Sequence, residues 1–124
     1  RFKISTSPKT ISTLSCGSDT VAVFEGFMDY LSYMSMRWER RPGSDAIVLN
    51  SVSNLSKAMS AIASHATVLT YMDNDAAGQR TTDEIRRQAE GCTVIDRSER
   101  YKEYNDLNDY WKANARNVGM SIKR

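Results

Sequence analysis

The chain has 124 residues, 40% of them hydrophobic, which is enough for one buried core of ordinary size and gives no sign of a second domain. Its 17 basic and 15 acidic residues nearly balance, which excludes the strongly basic composition typical of many nucleic-acid-binding domains. The two cysteines, Cys16 and Cys92, lie far apart without a CxxC pair, which argues against a zinc site and favours reduced thiols in a cytoplasmic protein.

The start of the chain carries little pattern. It is rich in Ser, Thr and Lys and contains Pro8, so we predict a loose lead-in, residues 1–18, that could include one short edge strand. Because the chain begins with Arg1 and has no signal-like or long apolar run, we expect a segment of a longer soluble protein without membrane association. The main domain is predicted for residues 19–116, and residues 117–124 form a tail.

An acidic residue directly follows the first predicted strand of the main domain. Residues 21–24, VAVF, predict a buried strand, after which come Glu25, a turn at Gly26 and a helix that carries Asp29. A carboxylate in this position is costly unless it is solvated, paired or bound to a metal, so a functional role is favoured for Glu25. Apolar residues at alternating steps of four and three predict the helix face that packs on the sheet: Phe27, Leu31, Met34 and Trp38.

A second strand and helix follow the same plan. Asp45 leads into the apolar run AIVLN, and the helix after it has one apolar face, made of Leu55, Ala58, Met59 and Ile62. Asn50 and Ser51, in the turn between them, are expected near the carboxylates.

The third predicted strand opens the stretch TVLTYMDNDAAG, residues 67–78, and runs out into Asp73 and Asp75. Open α/β sheets place their ligand crevice at the carboxyl ends of the strands, so Glu25 and both aspartates would converge if this strand lies beside the first. An oxygen-only ligand set without His or Cys favours Mg²⁺ first and Mn²⁺ second. Helix capping is the alternative role for Asp75, and Gly78 is expected to let a phosphate or ion approach the backbone at the helix start.

A fourth strand, CTVID, and a last helix complete the pattern, with Asp106 and Asp109 at capping-box spacing where that helix opens. The alternation of strands and helices predicts an α/β fold, a parallel sheet of about four strands with helices on both faces. Lys57, Arg80 and Lys102 would flank its acidic edge and could contact phosphates or nucleic acid; solvated surface charges are the alternative.

Three segments together resemble a known family. In order along the chain, FEGFMDYLS, YMDNDAAGQR and DLND are similar to the three signature blocks of the Toprim domain of topoisomerases and primases, and the resemblance covers residues 20–112. The form EGFMD with DNDAAG is most similar to DnaG-type bacterial primases and to primase-like proteins of mobile elements. The resemblance thus implies a Toprim-like form of the α/β sheet.

The resemblance also implies roles for individual residues. Glu25 takes the position of the family's glutamate, a catalytic acid/base or metal-orienting group, while Asp73, Asp75 and Asp106 take metal-binding positions. Asp29 is a secondary acidic residue of the same site. Asn108 departs from the pattern, because replicative primases carry a second acid at that position.

The function implied in this way is that of the catalytic core of a DNA primase-like enzyme, which transfers nucleotides with Mg²⁺ or Mn²⁺. Its partners would be a single-stranded DNA template, nucleoside triphosphates and a helicase or other replication protein. Primases also need a basic template groove and usually a zinc-binding module, so we expect that this segment cannot make primers alone. A metal-dependent Toprim nuclease and a non-catalytic DNA-binding Toprim module are the alternatives; a phosphoaspartate receiver domain ranks last.

Overall fold

A computed structural model describes residues 3–5, 10–36 and 43–122, with side chains for 10–36 and 43–115. Its six strands form one sheet in the order β1-β2-β4-β3-β5-β6: β1 Lys3–Ser5, β2 Ser12–Ser15, β3 Thr20–Phe24, β4 Asp45–Val48, β5 Thr67–Tyr71 and β6 Thr93–Asp96. The helices are α1 Phe27–Met36, α2 Leu55–Ala63, α3 Ala76–Gln88 and α4 Leu107–Ile122, and short 3-10 turns lie at Val52–Asn54 and Ser98–Tyr101.

Strands β3 to β6 are the four predicted strands, and the pairings among these four are all parallel. The predicted fold class, an α/β sheet with helices on both faces, is confirmed. The lead-in is more regular than predicted, because it contributes two antiparallel strands, of which β2 pairs with β4 and β1 with β2. The extra strands cover the edge of β4, which would otherwise expose unpaired backbone groups.

The sheet separates two hydrophobic clusters because side chains alternate along each strand. In β3, Val21 and Val23 point into the cluster covered by α2 and α3, while Ala22 and Phe24 point into the cluster covered by α1 and α4. All four are almost fully buried. Helix α2 buries its four predicted residues, Leu55, Ala58, Met59 and Ile62.

The predicted inward face of α1 is wrong. Phe27, Leu31 and Met34 are 39%, 42% and 48% exposed, whereas Tyr30 and Tyr33 are buried; Trp38 lies outside the described residues. The two tyrosines surround the Phe24 ring, with ring centroids 5.5 and 5.0 Å away. Aromatic packing of this kind stabilises the helix on the sheet, but a search for purely apolar periodicity does not detect it.

Asp45 joins three segments at the opposite, amino-terminal edge of the sheet. Its Oδ1 accepts from the backbone N–H of Cys16 at 2.7 Å, and its Oδ2 lies 2.7 Å from His65 Nε2. Burial opposes ionisation of Asp45, but these contacts outweigh it and lower the carboxyl pKa. Both cysteines are free thiols.

No helix within residues 10–36 and 43–122 is both long and apolar enough to cross a lipid bilayer.

Candidate active site

Strands β3 and β5 lie side by side inside the sheet, with Phe24 paired to Tyr71 at their carboxyl ends. The chain then leaves β3 into α1 on one face of the sheet and leaves β5 into α3 on the other. Diverging connections of this kind open a crevice at the strand ends, where α/β proteins bind ligands. Glu25 and Asp73 both lie at this crevice.

A hydrogen bond joins the two strand ends: the backbone N–H of Asp73 donates to Oε1 of Glu25 at 3.1 Å. The structure therefore places the two acids at the same edge of the sheet. A second connection runs from the neighbouring strand, because the backbone N–H of Asn50 donates to the carbonyl oxygen of Glu25 at 2.9 Å. Asn50 has a left-handed φ of 66°, which asparagine tolerates better than most residues do.

The crevice is a cleft of about 350 Å³. Acidic, amide and apolar side chains line it together with one glycine and one serine: Glu25, Gly26, Phe27, Met28, Asp29, Asn50, Ser51, Asp73, Asp106 and Asn108. Four of these are acids, contributed by three segments that are distant in sequence.

Burial and neighbouring negative charges raise the pKa of three acids in the cleft, Glu25, Asp29 and Asp73. Burial, together with the charges of Glu25, Asp29, Asp106 and Asp75, raises the pKa of Asp73 to about 7. Burial also raises the pKa of Glu25, although the N–H of Asp73 opposes the shift. A bound cation would relieve this repulsion.

Asp29 is 6% exposed and connects two elements of the site. Its Oδ2 accepts from the N–H of Gly26 at 3.3 Å, and its Oδ1 accepts from the N–H of Asn108, in the first turn of α4, at 3.0 Å. Burial raises the pKa of Asp29 to about 6, although the N–H of Asn108 opposes this. Both carboxylate oxygens hold backbone groups, so Asp29 supports the cleft wall.

Asp75 and Asp106 both cap helices. Oδ1 of Asp75 accepts from the N–H of Gly78 at 2.8 Å at the start of α3, and Oδ1 of Asp106 accepts from the N–H of Asp109 at 2.8 Å at the start of α4. They differ in position, because Asp106 lines the cleft and Asp75 does not. Metal binding and helix capping are the two predicted roles of Asp75, and the geometry favours helix capping.

Gly78 serves a different purpose from the expected one. A Cβ atom at this position would lie 2.0 Å from the carbonyl oxygen of Asp73. The backbone of Asp73, in the loop after β5, therefore fills the space where a Gly78 side chain would lie, and leaves no room for a ligand on that side. The missing side chain lets the first turn of α3 lie directly against this loop.

Sequence reasoning missed Asn74, the residue between the two aspartates. Its Nδ2 donates to the carbonyl oxygens of Tyr101 and Tyr104 at 3.0 and 2.9 Å, and its N–H donates to Asn105. Tyr101 adds a bond from its buried hydroxyl to the Met72 carbonyl at 2.6 Å. These contacts hold the loop that brings Asp106 to the cleft. In the sequence, the only signal of this role was the asparagine between the two aspartates of DND.

The three predicted phosphate-contacting cations do not line the cleft. Arg80 lies in a separate groove between α2 and α3, and Lys57 is exposed on α2. Lys102 is paired with Glu99 at 3.5 Å. Their position fits solvated surface charges better than contacts in the cleft.

The donor set fits a hydrated divalent cation. Among residues 10–36 and 43–115, no three Asp, Glu, His or Cys side chains converge closely enough to enclose an ion. Mg²⁺ does not require such a cage, since it commonly keeps several waters and binds one or two carboxylates together with substrate phosphates. Asp73 and Asp106, which both line the cleft, could supply the one or two carboxylates that such a hydrated ion needs.

Replacing Asp73 by asparagine is expected to stabilise the metal-free fold at high pH only. Since the folded-state pKa of Asp73 is about 7 against an ordinary 3.8, ionisation lowers wild-type stability as pH rises through this interval. Asparagine carries no charge at any pH, so the variant should gain about 1–2 kcal/mol at pH 8, allowing for solvent screening, and almost nothing at pH 4. Urea unfolding with EDTA at both pH values measures this.

The control for that experiment is Asp83→Asn, which neutralises an exposed aspartate of α3 paired with Arg86 at 3.8 Å. It should change stability by no more than a few tenths of a kcal/mol at either pH. A gain in Asp73→Asn that is equal at pH 4 and pH 8 would contradict the electrostatic explanation.

Two comparisons identify similar proteins. The family model described as Toprim-like matches residues 22–111. The crystal structure of the primase fragment of the bacteriophage T7 primase-helicase protein has a similar fold, with a TM-score of 0.62 and 15% sequence identity over 91% of this chain. The chain spans 57% of that fragment. A search of curated protein sequences finds no match.

Proposed function

Because the chain belongs to the Toprim-like family, we propose that it is the catalytic-core module of a DNA primase-like protein and carries out metal-dependent nucleotide transfer on a DNA template. The observation that carries the proposal is the hydrogen bond from the N–H of Asp73 to Glu25. This bond joins two of the three segments that resemble Toprim signature blocks, and both residues line one acidic cleft. The fold shared with a phage primase fragment is consistent with a Toprim module of primase type.

The proposed cofactor is Mg²⁺, which Toprim domains generally bind, or Mn²⁺. Asp73 and Asp106 would hold it, with Asp75 close enough to add to the negative potential that raises the Glu25 pKa. When bound, the ion neutralises the phosphates of a nucleoside triphosphate and stabilises charge in phosphoryl transfer.

Glu25 is the proposed acid/base or orienting group. General acid–base catalysis is most effective when the pKa lies near the working pH, and burial shifts the Glu25 pKa upward in that direction. The backbone bonds from Asp73 and Asn50 fix this residue at the cleft floor, so its carboxylate can be oriented before substrate arrives.

The proposed partners are single-stranded template DNA, nucleoside triphosphates and a helicase or other replication protein. The acidic cleft offers no basic surface for the template, so flanking parts of the full-length protein would have to provide it. The 124-residue chain is therefore expected to bind the metal but not to make primers by itself.

The test uses the full-length protein with single-stranded DNA, labelled nucleoside triphosphates and Mg²⁺ or Mn²⁺. Primer synthesis that Asp73→Asn abolishes and Asp83→Asn retains is the expected result. Cleavage of the DNA instead of synthesis would indicate a Toprim nuclease. DNA binding without either activity, unchanged in Asp73→Asn, would indicate a non-catalytic module and contradict the proposal.

A further inference from the structure

The hydroxyl group of Ser32 has two apparent acceptors and one proton. Ser32 lies in α1 and is 2% exposed. Its Oγ is 2.9 Å from the Met28 carbonyl oxygen and 3.0 Å from the amide oxygen of Asn108. A hydroxyl group can donate only one hydrogen bond, and neither a carbonyl nor an amide oxygen can donate. One of the two short contacts would therefore bring oxygen lone pairs together.

Exchanging the oxygen and nitrogen of the Asn108 amide removes this conflict without moving any heavy atom appreciably. Ser32 then donates to the Met28 carbonyl, and Asn108 Nδ2 donates to Ser32 Oγ. Both short contacts become hydrogen bonds, so this orientation satisfies the Ser32 hydroxyl and both of its neighbours.

After the exchange, the amide oxygen of Asn108 takes the position that the amide nitrogen had, and it no longer contacts Ser32. In the described part of the chain, no residue is hydrogen-bonded to the amide atom at that position. Asn108 lines the cleft together with Asp73 and Asp106. Its backbone is already fixed, because its N–H donates to Asp29 at 3.0 Å, so the bond to Ser32 decides only the direction of the amide.

We propose that Ser32 is a positioning residue that turns the amide of Asn108, so that the amide oxygen serves as a neutral ligand for the divalent cation in the cleft. This inference rests on the proposed function. Amide oxygens are suitable ligands for hard cations, and a neutral oxygen adds a ligand without adding to the repulsion among the acids. Groups that orient a metal ligand in this way commonly change metal affinity by tenfold or more when removed.

The amide orientation can be tested without metal. In ¹⁵N-labelled protein, the side-chain NH₂ signals of Asn108, assigned by their loss in Asn108→Asp, should show slow hydrogen exchange and a shift typical of a bonded amide. They should lose both properties in Ser32→Ala and keep them in Ser32→Thr, which retains the hydroxyl. Signals that are the same in wild type and Ser32→Ala would overturn the inference.

Metal affinity is measured on the 124-residue chain by Mn²⁺ titration with electron paramagnetic resonance. Ser32→Ala should weaken Mn²⁺ binding by about tenfold, and it should add nothing further in an Asn108→Ala background. The matched control is Ser35→Ala, which removes an exposed hydroxyl of the same helix that donates to the Leu31 carbonyl at 2.9 Å but does not contact Asn108.

Two failures are distinguishable. If wild-type binding is abolished by Asp73→Asn but is equal in Ser32→Ala and Ser35→Ala, the proposed function stands and the role of Ser32 is wrong. The role of Ser32 is also wrong, and the proposed function still stands, if Ser32→Ala weakens Mn²⁺ binding further in the Asn108→Ala background. If the wild-type chain does not bind Mn²⁺, or Asp73→Asn leaves binding unchanged, the metal site of the proposed function is wrong, and the inference is wrong with it.

Discussion

Glu25→Gln is expected to lower metal-dependent nucleotide transfer by the full-length protein by about a hundredfold or more. That is the size of effect seen when a positioned acid/base or electrostatic group is removed from an active site. Glutamine keeps the shape of the side chain and retains an oxygen that can accept from Asp73 N–H, a bond of 3.1 Å in the wild type. The substitution therefore removes the charge and the titrating proton but leaves the local geometry.

Folding should respond in the opposite direction. Burial and the charges of Asp75 and Asp106 raise the Glu25 pKa, so neutralisation should leave stability unchanged or slightly higher at neutral pH. Thermal melting and primer synthesis on the same preparation measure both effects. Glu99→Gln is the control, since Glu99 is exposed and paired with Lys102 outside the cleft. A Glu25→Gln protein that is less stable but fully active would show that Glu25 is a structural residue.

The sequence was sufficient to predict the sheet and its acidic edge because both depend on local pattern. Short apolar runs alternate with helical segments, and this alternation favours parallel pairing among strands β3 to β6. Once β3 and β5 are neighbours, residues that directly follow them must meet at the same edge. The proximity of Glu25 and Asp73 follows from that geometry.

The rest of the site depends on contacts between distant segments, which local pattern does not contain. Asn74 binds the carbonyl of Tyr104, 30 residues later in the chain, and Asp29 binds the N–H of Asn108, 79 residues later. The buried face of α1 was predicted wrongly for a related reason. The tyrosines of α1 pack on the Phe24 ring of strand β3. This packing stabilises the helix more than burial of its apolar stripe would, so the stripe is exposed.

Gly78→Ala is expected to destabilise the fold by about 3 kcal/mol or more. The added methyl group would lie 2.0 Å from the Asp73 carbonyl oxygen and 2.9 Å from its carbonyl carbon, far inside van der Waals contact. Both are backbone atoms of the loop that follows β5, and they cannot rotate away as a flexible side chain could. Overpacking in a rigid site typically costs about 1–3 kcal/mol, and this contact is severe enough to exceed that range.

Relief of the clash requires the first turn of α3 to move away from the backbone of Asp73. This movement would stretch the 2.8 Å cap from Gly78 N–H to Asp75 and would displace Asp73 from its bond to Glu25. The variant should therefore melt about 10 °C lower or more, and its folded fraction should bind Mn²⁺ more weakly than the wild type. Thermal melting followed by circular dichroism, with Mn²⁺ titration below the transition, measures the two effects.

Gly91→Ala provides the matched control, because a Cβ atom at Gly91 would meet nothing within 4 Å. It should melt close to the wild-type temperature and bind Mn²⁺ equally well. If Gly78 were instead a space for an approaching phosphate or ion, Gly78→Ala would keep the wild-type melting temperature and lose only ligand binding. That outcome would show that the close approach of Gly78 to the Asp73 backbone does not decide the stability of this edge.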